Sequence, residues 1–266
     1  MLSVLLARWR QGFRTSPFPG GDVRFPERYR GRPTLDAARC DAGVCEACAR
    51  RCPTDVIRLH PDGRVELDVG ASLFSPDEAA ACLGGALAFT GDFRVASRTR
   101  EGLVSRTGEV ELAGALDAES RRLFGRSLRL RSVAAGSCGG CEAELVALGN
   151  VVFDMARFGI QFVASPRHAD GMVVTGAVST NMREALLKTY EAIPKPRLVI
   201  AVGACAINGG PVRESPEVMN GVPPDIPVDL WIPGCPPHPL TVLDGLLRLL
   251  GRLDGAADHE SDTAIG

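Results

Sequence analysis

The C-terminal half of the chain alternates two hydrophobic periods. "IQFVAS", "GMVVTGAV", "RLVIAVGA" and "VDLWIPG" are short, mostly Val- and Ile-rich runs, as expected of strands buried on both faces. Around them, "CEAELVALGNVVFDMARFG", "STNMREALLKTYEAI" and "HPLTVLDGLLRLLGRL" carry apolar residues at helical spacing, the first helix ending at Gly159. Strands that alternate with helices predict an α/β domain over residues 131–253, its parallel sheet covered by helices on both faces. The N-terminal half reads differently. "LLARWRQGF" predicts a short amphipathic helix with Leu5, Leu6, Trp9 and Phe13 on one side, and the prolines of "SPFPGGDVRFPERYRGRP" end it, giving an arm over residues 1–35. Residues 36–97 are loop-rich, with "DVIRL" and "GRVELD" forming a small hairpin around "HPDG". Residues 98–130 are arginine-rich, helical over "LDAESRRLFGRSL", and read as a linker; residues 254–266 read as a disordered tail.

Composition changes this picture little. A chain of 266 residues with 45% apolar content can bury the cores of two domains. Its formal net charge of −2 gives no reason to expect nucleic acid. The charge is uneven, however: Arg8, Arg10, Arg14, Arg24, Arg28, Arg30 and Arg32 face only Asp22 and Glu27 in the arm. No apolar run has the length of a membrane span, and "MLSVLLARWRQGF" has no small-residue cleavage site. The expectation is a soluble or peripheral protein on the cytoplasmic side.

Cysteine usage carries the chemistry. The nine cysteines fall into sets: Cys40, Cys45, Cys48, Cys52 and Cys82, then Cys138 and Cys141, then Cys205 and Cys235. An odd number with CxxC spacing favours metal ligation over a disulfide framework. Cys205 follows directly on "RLVIAVGA", Cys235 on "VDLWIPG", and Cys138 and Cys141 sit at the entrance to the first helix. In an open parallel sheet all four meet at the carboxyl edge, where sites gather. Glycine or proline flanks each of them, at Gly136, Gly139, Gly140, Gly203, Gly234 and Pro236, which lets backbone approach an inorganic core. Two alternatives stand beside a cluster: ordinary buried thiols, and a four-thiolate zinc site stapling a structural scaffold with no redox role.

"GSCGGCEAEL", "RFGIQFVASPRHADGMVVTGAV", "VIAVGACAINGG" and "PVDLWIPGCPPHP" together resemble the small, cluster-bearing subunit of NADH:quinone oxidoreductase (20 kDa, B-type) and of the membrane-bound nickel-iron hydrogenases. The resemblance covers roughly residues 120–252 and implies a flavodoxin-like domain with one 4Fe-4S cluster on Cys138, Cys141, Cys205 and Cys235. It also implies a large subunit against that cluster, holding either a nickel-iron site or a wall of a quinone cavity. Gly139 and Gly140 separate the first two ligands, as in the hydrogenases, whereas the respiratory subunit usually has them in tandem. "LFGRSLRLRSVAAGSCGGCEAE" likewise resembles the formate hydrogenlyase and hydrogenase-4 branch. Glu144 matches a family glutamate beside the cluster and is a candidate proton-transfer residue, or else an acid that suits a helix start. Arg167 and His168 are candidates for contact with the cluster or a partner, or for a structural turn; His238 reads as a helix-start residue.

The first set nearly fits the ferredoxin run C-x2-C-x2-C-x3-C-P. Cys45, Cys48 and Cys52-Pro53 occupy its later positions, Ala42 stands at the first, and Cys40 lies two residues earlier. In the second copy, Ser72, Ser75 and Glu78 stand where cysteines would be, and only Cys82 is retained. Because the fourth cysteine of each run ligates the other cluster, the pattern predicts one 4Fe-4S cluster on Cys40, Cys45, Cys48 and Cys82. Ligation by Cys52 in place of Cys82, and complete loss of the cluster, remain open. "GFRTSPFPGGDVRFPERYRGRPTLD" and "GALAFTGDFRVASRTREGL" resemble the two-cluster ferredoxin subunit of the same complexes, so the chain resembles a fusion of a degenerate, small α+β ferredoxin-like unit to the small subunit. The expectation is an oxidoreductase subunit that conducts electrons through two clusters and needs its large subunit for catalysis. Membrane-arm subunits and an upstream ferredoxin-like or formate dehydrogenase donor complete the expected partners.

Overall fold

A computed structural model of the chain describes residues 2–39, 42–52, 54–60, 62 and 64–253, with residues 37 and 42–45 described by backbone alone. The N-terminal half holds α1 (Leu2–Gln11), β1 (Pro33–Leu35), α2 (Ala42–Arg51), β2 (Ile57–Leu59), β3 (Val65–Asp68), α3 (Pro76–Ala81), β4 (Leu87–Phe89) and β5 (Val104–Ser105). Two small antiparallel sheets organise it, β1–β4 and β2–β3–β5. The predicted helix of the arm is α1, which buries none of its residues. Residues 98–130, read as a linker, contribute β5 to the sheet of β3, then α4 (Ala118–Phe124) and the start of β6 (Leu128–Ala134). The tail at 254–266 lies outside the described residues.

After β6 come α5 (Gly140–Ala147), β7 (Ile160–Phe162), β8 (Gly171–Thr175), α6 (Thr180–Ala192), β9 (Leu198–Val202), α7 (Ala204–Asn208), β10 (Leu230–Ile232) and α8 (Pro239–Leu249). The five strands form one sheet in the order β7–β6–β8–β9–β10, every neighbouring pair parallel. Counted from β6, that order is 2-1-3-4-5, the flavodoxin-like topology, and it reverses direction between β6 and β8. Every residue of β8 and β9 is buried, as continuous Val-rich runs require.

Two elements differ from the sequence reading. The strand β6 was not expected, because "LRLRSVA" alternates leucine with arginine and its solvent-side positions mask a strand that lies inside the sheet. The long first helix is instead α5 alone, followed by turns and a 3-10 segment, Met155–Phe158, that ends at the left-handed Gly159. Asn150 diverts the chain there: its Oδ1 accepts from the backbone N–H groups of Val152 and Phe153, which is how asparagine competes with helix.

Candidate functional site: a cysteine-ringed cavity at the sheet edge

The carboxyl ends of β6, β9 and β10 deliver Cys138, Cys141, Cys205 and Cys235 to one cavity of about 80 Å³, together with Ser137, Gly140, Gly176, Ala204, Gly234 and Pro236. Each strand ends in a turn that only glycine makes easily. Gly203, between β9 and α7, has φ +90°, and a Cβ there would stand 2.5 Å from Cys141 Sγ. The site therefore requires glycine twice over, for its backbone angle and for the sulfur beside it. Cys141 is buried, Cys205 and Cys235 are half-buried, and Cys138 is exposed at the rim.

Crowding four sulfurs has an electrostatic consequence. Burial, then the charges of Cys205, Glu142, Cys235 and Cys138, push the Cys141 thiol up to about 12. Burial, then Cys235 and Cys138, push Cys205 up to about 11. Burial and Cys138 also raise Cys235, which feels the charge of Glu78 as well. Thiols that cannot ionise together become thiolates when a cationic metal core supplies the counter-charge. Among the described residues no group of three or more His, Cys, Asp or Glu could hold a single metal ion. The four sulfurs instead line one cavity, and four thiolates are the ligand set of a polynuclear iron-sulfur core as well as of a single zinc ion.

Of the two acids on α5, the sequence reading singled out Glu144. It is half-buried, burial raises its pKa, and its carboxylate makes no hydrogen bond or ion pair among the described residues. Glu142, which the reading missed, is the acid tied to the site. Its Oε1 accepts from Ser137 Oγ at 2.6 Å and from the buried Thr175 hydroxyl at the end of β8, while its Oε2 is buried without a partner. Burial raises its pKa, and the bonds from Ser137 and Thr175 overcome that to leave it lowered. The one available signal was its place directly after Cys141. Arg167 and His168 lie in the exposed 3-10 segment Pro166–His168 and line neither cavity of the molecule described here. His238 caps α8: its Nδ1 accepts from the Leu240 N–H at 3.2 Å, and its ring sits edge-on to Phe25, Tyr29 and Phe153.

In the N-terminal set, Cys40 lies outside the described residues, and Cys45 is described in α2 by its backbone alone. Cys48 on α2 and Cys82 at the end of α3 are both buried, and the Leu83 N–H donates to Cys48 Sγ at 3.1 Å. Cys52 is half-buried and packs against the same core as Cys48 and Cys82: burial raises its pKa, against hydrogen bonds to its sulfur from the Thr54 backbone, the Thr54 hydroxyl and the Val56 backbone. Ser75 caps α3, accepting from the Asp77 N–H at 3.2 Å. Ser72 and Glu78 are fully buried. The Glu78 carboxylate accepts from Ser72 Oγ at 2.7 Å, from the Leu73 N–H at 2.7 Å and from Thr54 Oγ1 at 3.1 Å.

Residues 138–249 match the family model of the NADH ubiquinone oxidoreductase 20 kDa subunit, a span that runs from the first cysteine of the cavity to the end of α8. The chain is 41% identical over 136 residues to a probable membrane-bound hydrogenase subunit of Pyrococcus furiosus, covering 51% of this chain and 81% of that one. It is 44% identical over 118 residues to the B subunit of the NADH-quinone oxidoreductase of Heliobacterium modesticaldum, covering 44% and 67%. To formate hydrogenlyase subunit 7 of Escherichia coli it is 40% identical over 144 residues, covering 54% and 56%. Members of this family carry a 4Fe-4S cluster and are subunits of oxidoreductase complexes. With its flavodoxin-like sheet and its cysteines at the strand ends, the chain belongs to the family of the 20 kDa subunit of NADH:ubiquinone oxidoreductase.

Proposed function

We propose that the chain is the electron-transfer subunit of a membrane-associated hydrogenase complex of the formate hydrogenlyase type, passing electrons between a redox partner and a nickel-iron large subunit. Cys138, Cys141, Cys205 and Cys235 hold one 4Fe-4S cluster. The observation that carries this reading is their arrangement on three strand-end loops around a single cavity. A cluster bound there exchanges single electrons. The chain's residues keep it in place and shield it: Gly203 admits the Cys141 sulfur, and Glu142 ties the Ser137 turn to the end of β8. Separation of the first two cysteines by Gly139 and Gly140, with Gly139 at φ +87° before α5, favours the hydrogenase branch over the quinone-reducing one.

The N-terminal half, outside the matched span, is a fused ferredoxin-like unit with a second 4Fe-4S cluster on Cys40, Cys45, Cys48 and Cys82. The Leu83 N–H on Cys48 Sγ supports this choice, since it sets Cys48 beside the residue that follows Cys82. Cys52 belongs to the vacated second site with Thr54, Ser72 and Glu78. The assembly sits peripherally at the cytoplasmic face of a membrane, with membrane-arm subunits and an upstream ferredoxin-like or formate dehydrogenase donor. No helix among the described residues is long and apolar enough to cross a membrane. Anaerobic purification with iron and sulfide analysis tests the clusters: about eight irons per chain are expected from two 4Fe-4S centres, and about four would leave one. Two CxxC pairs on the large subunit that co-purifies would identify a nickel-iron partner; their absence would move the chain to quinone chemistry.

A further inference from the structure

A second, larger cavity of about 440 Å³ shares Cys235, Gly234 and Pro236 with the first. Four separate segments wall it, with Glu144 and Thr241: residues 28–31 of the N-terminal arm, residues 73–76 before and at the start of α3, residues 92–95, and residues 233–238 between β10 and α8. It therefore lies between the loop of the vacated cluster position, which includes Ser75, and a cysteine of the proposed C-terminal cluster.

The lining is chemically specific. Arg28 has no hydrogen-bond or ion-pair partner among the described residues, and Arg30 commits only its Nε, to the Phe74 carbonyl at 2.7 Å. The N-terminal turn of α8 borders the same space through His238 and Thr241, its Leu240 N–H taken by His238 Nδ1 and its Thr241 N–H by the His238 carbonyl. Of the lining acids, Asp92 is paired with Arg94 at 2.8 Å, and Glu144 is the other. Tyr29, Phe74, Phe93 and His238 are among its lining residues, Tyr29 stacking on Phe25 with ring centroids 4.1 Å apart. A cavity of this size is in the range that takes one cofactor-sized molecule. Arg28 and Arg30 are exposed and can take an anion, and the aromatic lining residues suit a planar partner.

We propose that this cavity binds a planar aromatic ligand carrying a phosphate, of the flavin mononucleotide class, held by Arg28 and Arg30 against the wall that contains Cys235. Contact between such a ligand and a cluster rests on the iron-sulfur reading above, whereas the binding itself does not.

The test uses the full chain, purified anaerobically with whatever complex accompanies it. Flavin mononucleotide is titrated while flavin fluorescence is followed, and iron is counted in the same samples. Saturable binding of one flavin per chain with quenched fluorescence is expected. Riboflavin, which lacks the phosphate, and the double variant Arg28→Ala/Arg30→Ala should each weaken binding by at least about tenfold, since charge-assisted bonds to phosphate are lost. Arg24→Ala, an exposed arginine of the same arm off the cavity, should leave binding and iron content as in the parent chain. Absence of saturable binding, equal affinity for riboflavin, or parent-like binding by the double variant would each overturn the proposal. A chain that holds its iron and ignores flavin refutes this inference alone, and a chain that binds flavin without iron refutes only the cluster reading.

Discussion

Glu78→Ala removes the acceptor shared by Thr54, Ser72 and Leu73. Three donors point at that carboxylate: the Ser72 hydroxyl and the Leu73 N–H, each at 2.7 Å, and the Thr54 hydroxyl at 3.1 Å. Ser72 and Glu78 are fully buried and Thr54 is 8% exposed, so water does not readily replace the lost acceptor. A buried donor left without a partner costs about 1–3 kcal/mol. The Ser72 hydroxyl can turn elsewhere and the Thr54 hydroxyl has the Cys52 sulfur as a second acceptor, which leaves the Leu73 N–H stranded; the expected loss is about 1–3 kcal/mol, against the roughly 5–15 kcal/mol that holds a domain together. Glu78→Gln separates hydrogen bonding from shape. Its amide oxygen can still serve Leu73 and Thr54, and the cost should fall to about 1 kcal/mol. Urea denaturation gives the totals, and native-state hydrogen exchange at the Leu73 amide and across β1–β4 locates the loss. If Glu78→Ala lay within about 0.5 kcal/mol of the parent, or Glu78→Gln cost as much as the alanine, the carboxylate would not be the staple of this site.

Asp68 is fully buried and accepts from both terminal nitrogens of Arg100, at 2.8 and 2.5 Å, and from Arg58. Asp68→Asn should cost about 2–4 kcal/mol by chemical denaturation, discounted because both arginines keep some contact with water; a neutral result would make the clasp ornamental. Cys82→Ser should remove about four irons and Cys52→Ser none, counted on anaerobically purified chains, and the opposite result would transfer the fourth ligand to Cys52. Gly203→Ala should abolish the C-terminal cluster's EPR signal while sparing the N-terminal one, because the new Cβ would lie 2.5 Å from Cys141 Sγ; an intact signal sinks that geometry. In the iron-free chain, a Cys141 thiol raised from 9.0 to about 12 leaves less thiolate at any pH below that value. At pH 8 its alkylation, followed by mass spectrometry, should be about a thousandfold slower than for an unshifted thiol and should rise about tenfold per pH unit up to pH 11. A rate already flat above pH 9 would contradict it.

What was legible in the sequence followed from local rules. The wholly buried β8 and β9 read directly as Val-rich runs, and cysteines placed just after such runs had to reach the carboxyl edge of the sheet. What escaped depended on residues distant in sequence. β6 lies between β7 and β8, yet its arginines occupy exposed or half-buried positions, and that alternation reads as a linker when the neighbouring strands are unknown. Glu142 resembles any acid in a first helical turn until β8 brings Thr175 against it. The proline-rich arm looked irregular because its order comes from tertiary packing. Phe18 joins the main core, and Arg157 donates to the Phe18 carbonyl at 2.6 Å.

The same packing bears on why the two halves share one chain. All eleven residues of α8 are buried, including Asp244 and Arg248, which pair with each other at 2.8 Å. A helix covering an open sheet normally keeps one face in water. Phe18, Ala96, Ala113, Leu116 and Phe124, all of which precede the matched span at 138–249, are buried in the same hydrophobic core as the leucines of α8, with Val23, Phe25 and Phe93 packed against it. A Cβ on Gly245 would stand 2.7 Å from the Ala96 side chain, so the approach leaves no room for a larger residue. Ser97 exchanges backbone hydrogen bonds with Trp231 at 3.0 and 2.8 Å, and Leu103 packs with Ala206 and Ile207 beside the Cys205 turn. A tether would only raise the local concentration of a donor near its acceptor. A shared core would fix the distance and orientation of the two proposed clusters, on which tunnelling depends steeply. Residues that precede the matched span therefore complete the core around α8, with Ala96 against Gly245 and the Leu116 N–H donating to the Leu249 carbonyl at 2.9 Å.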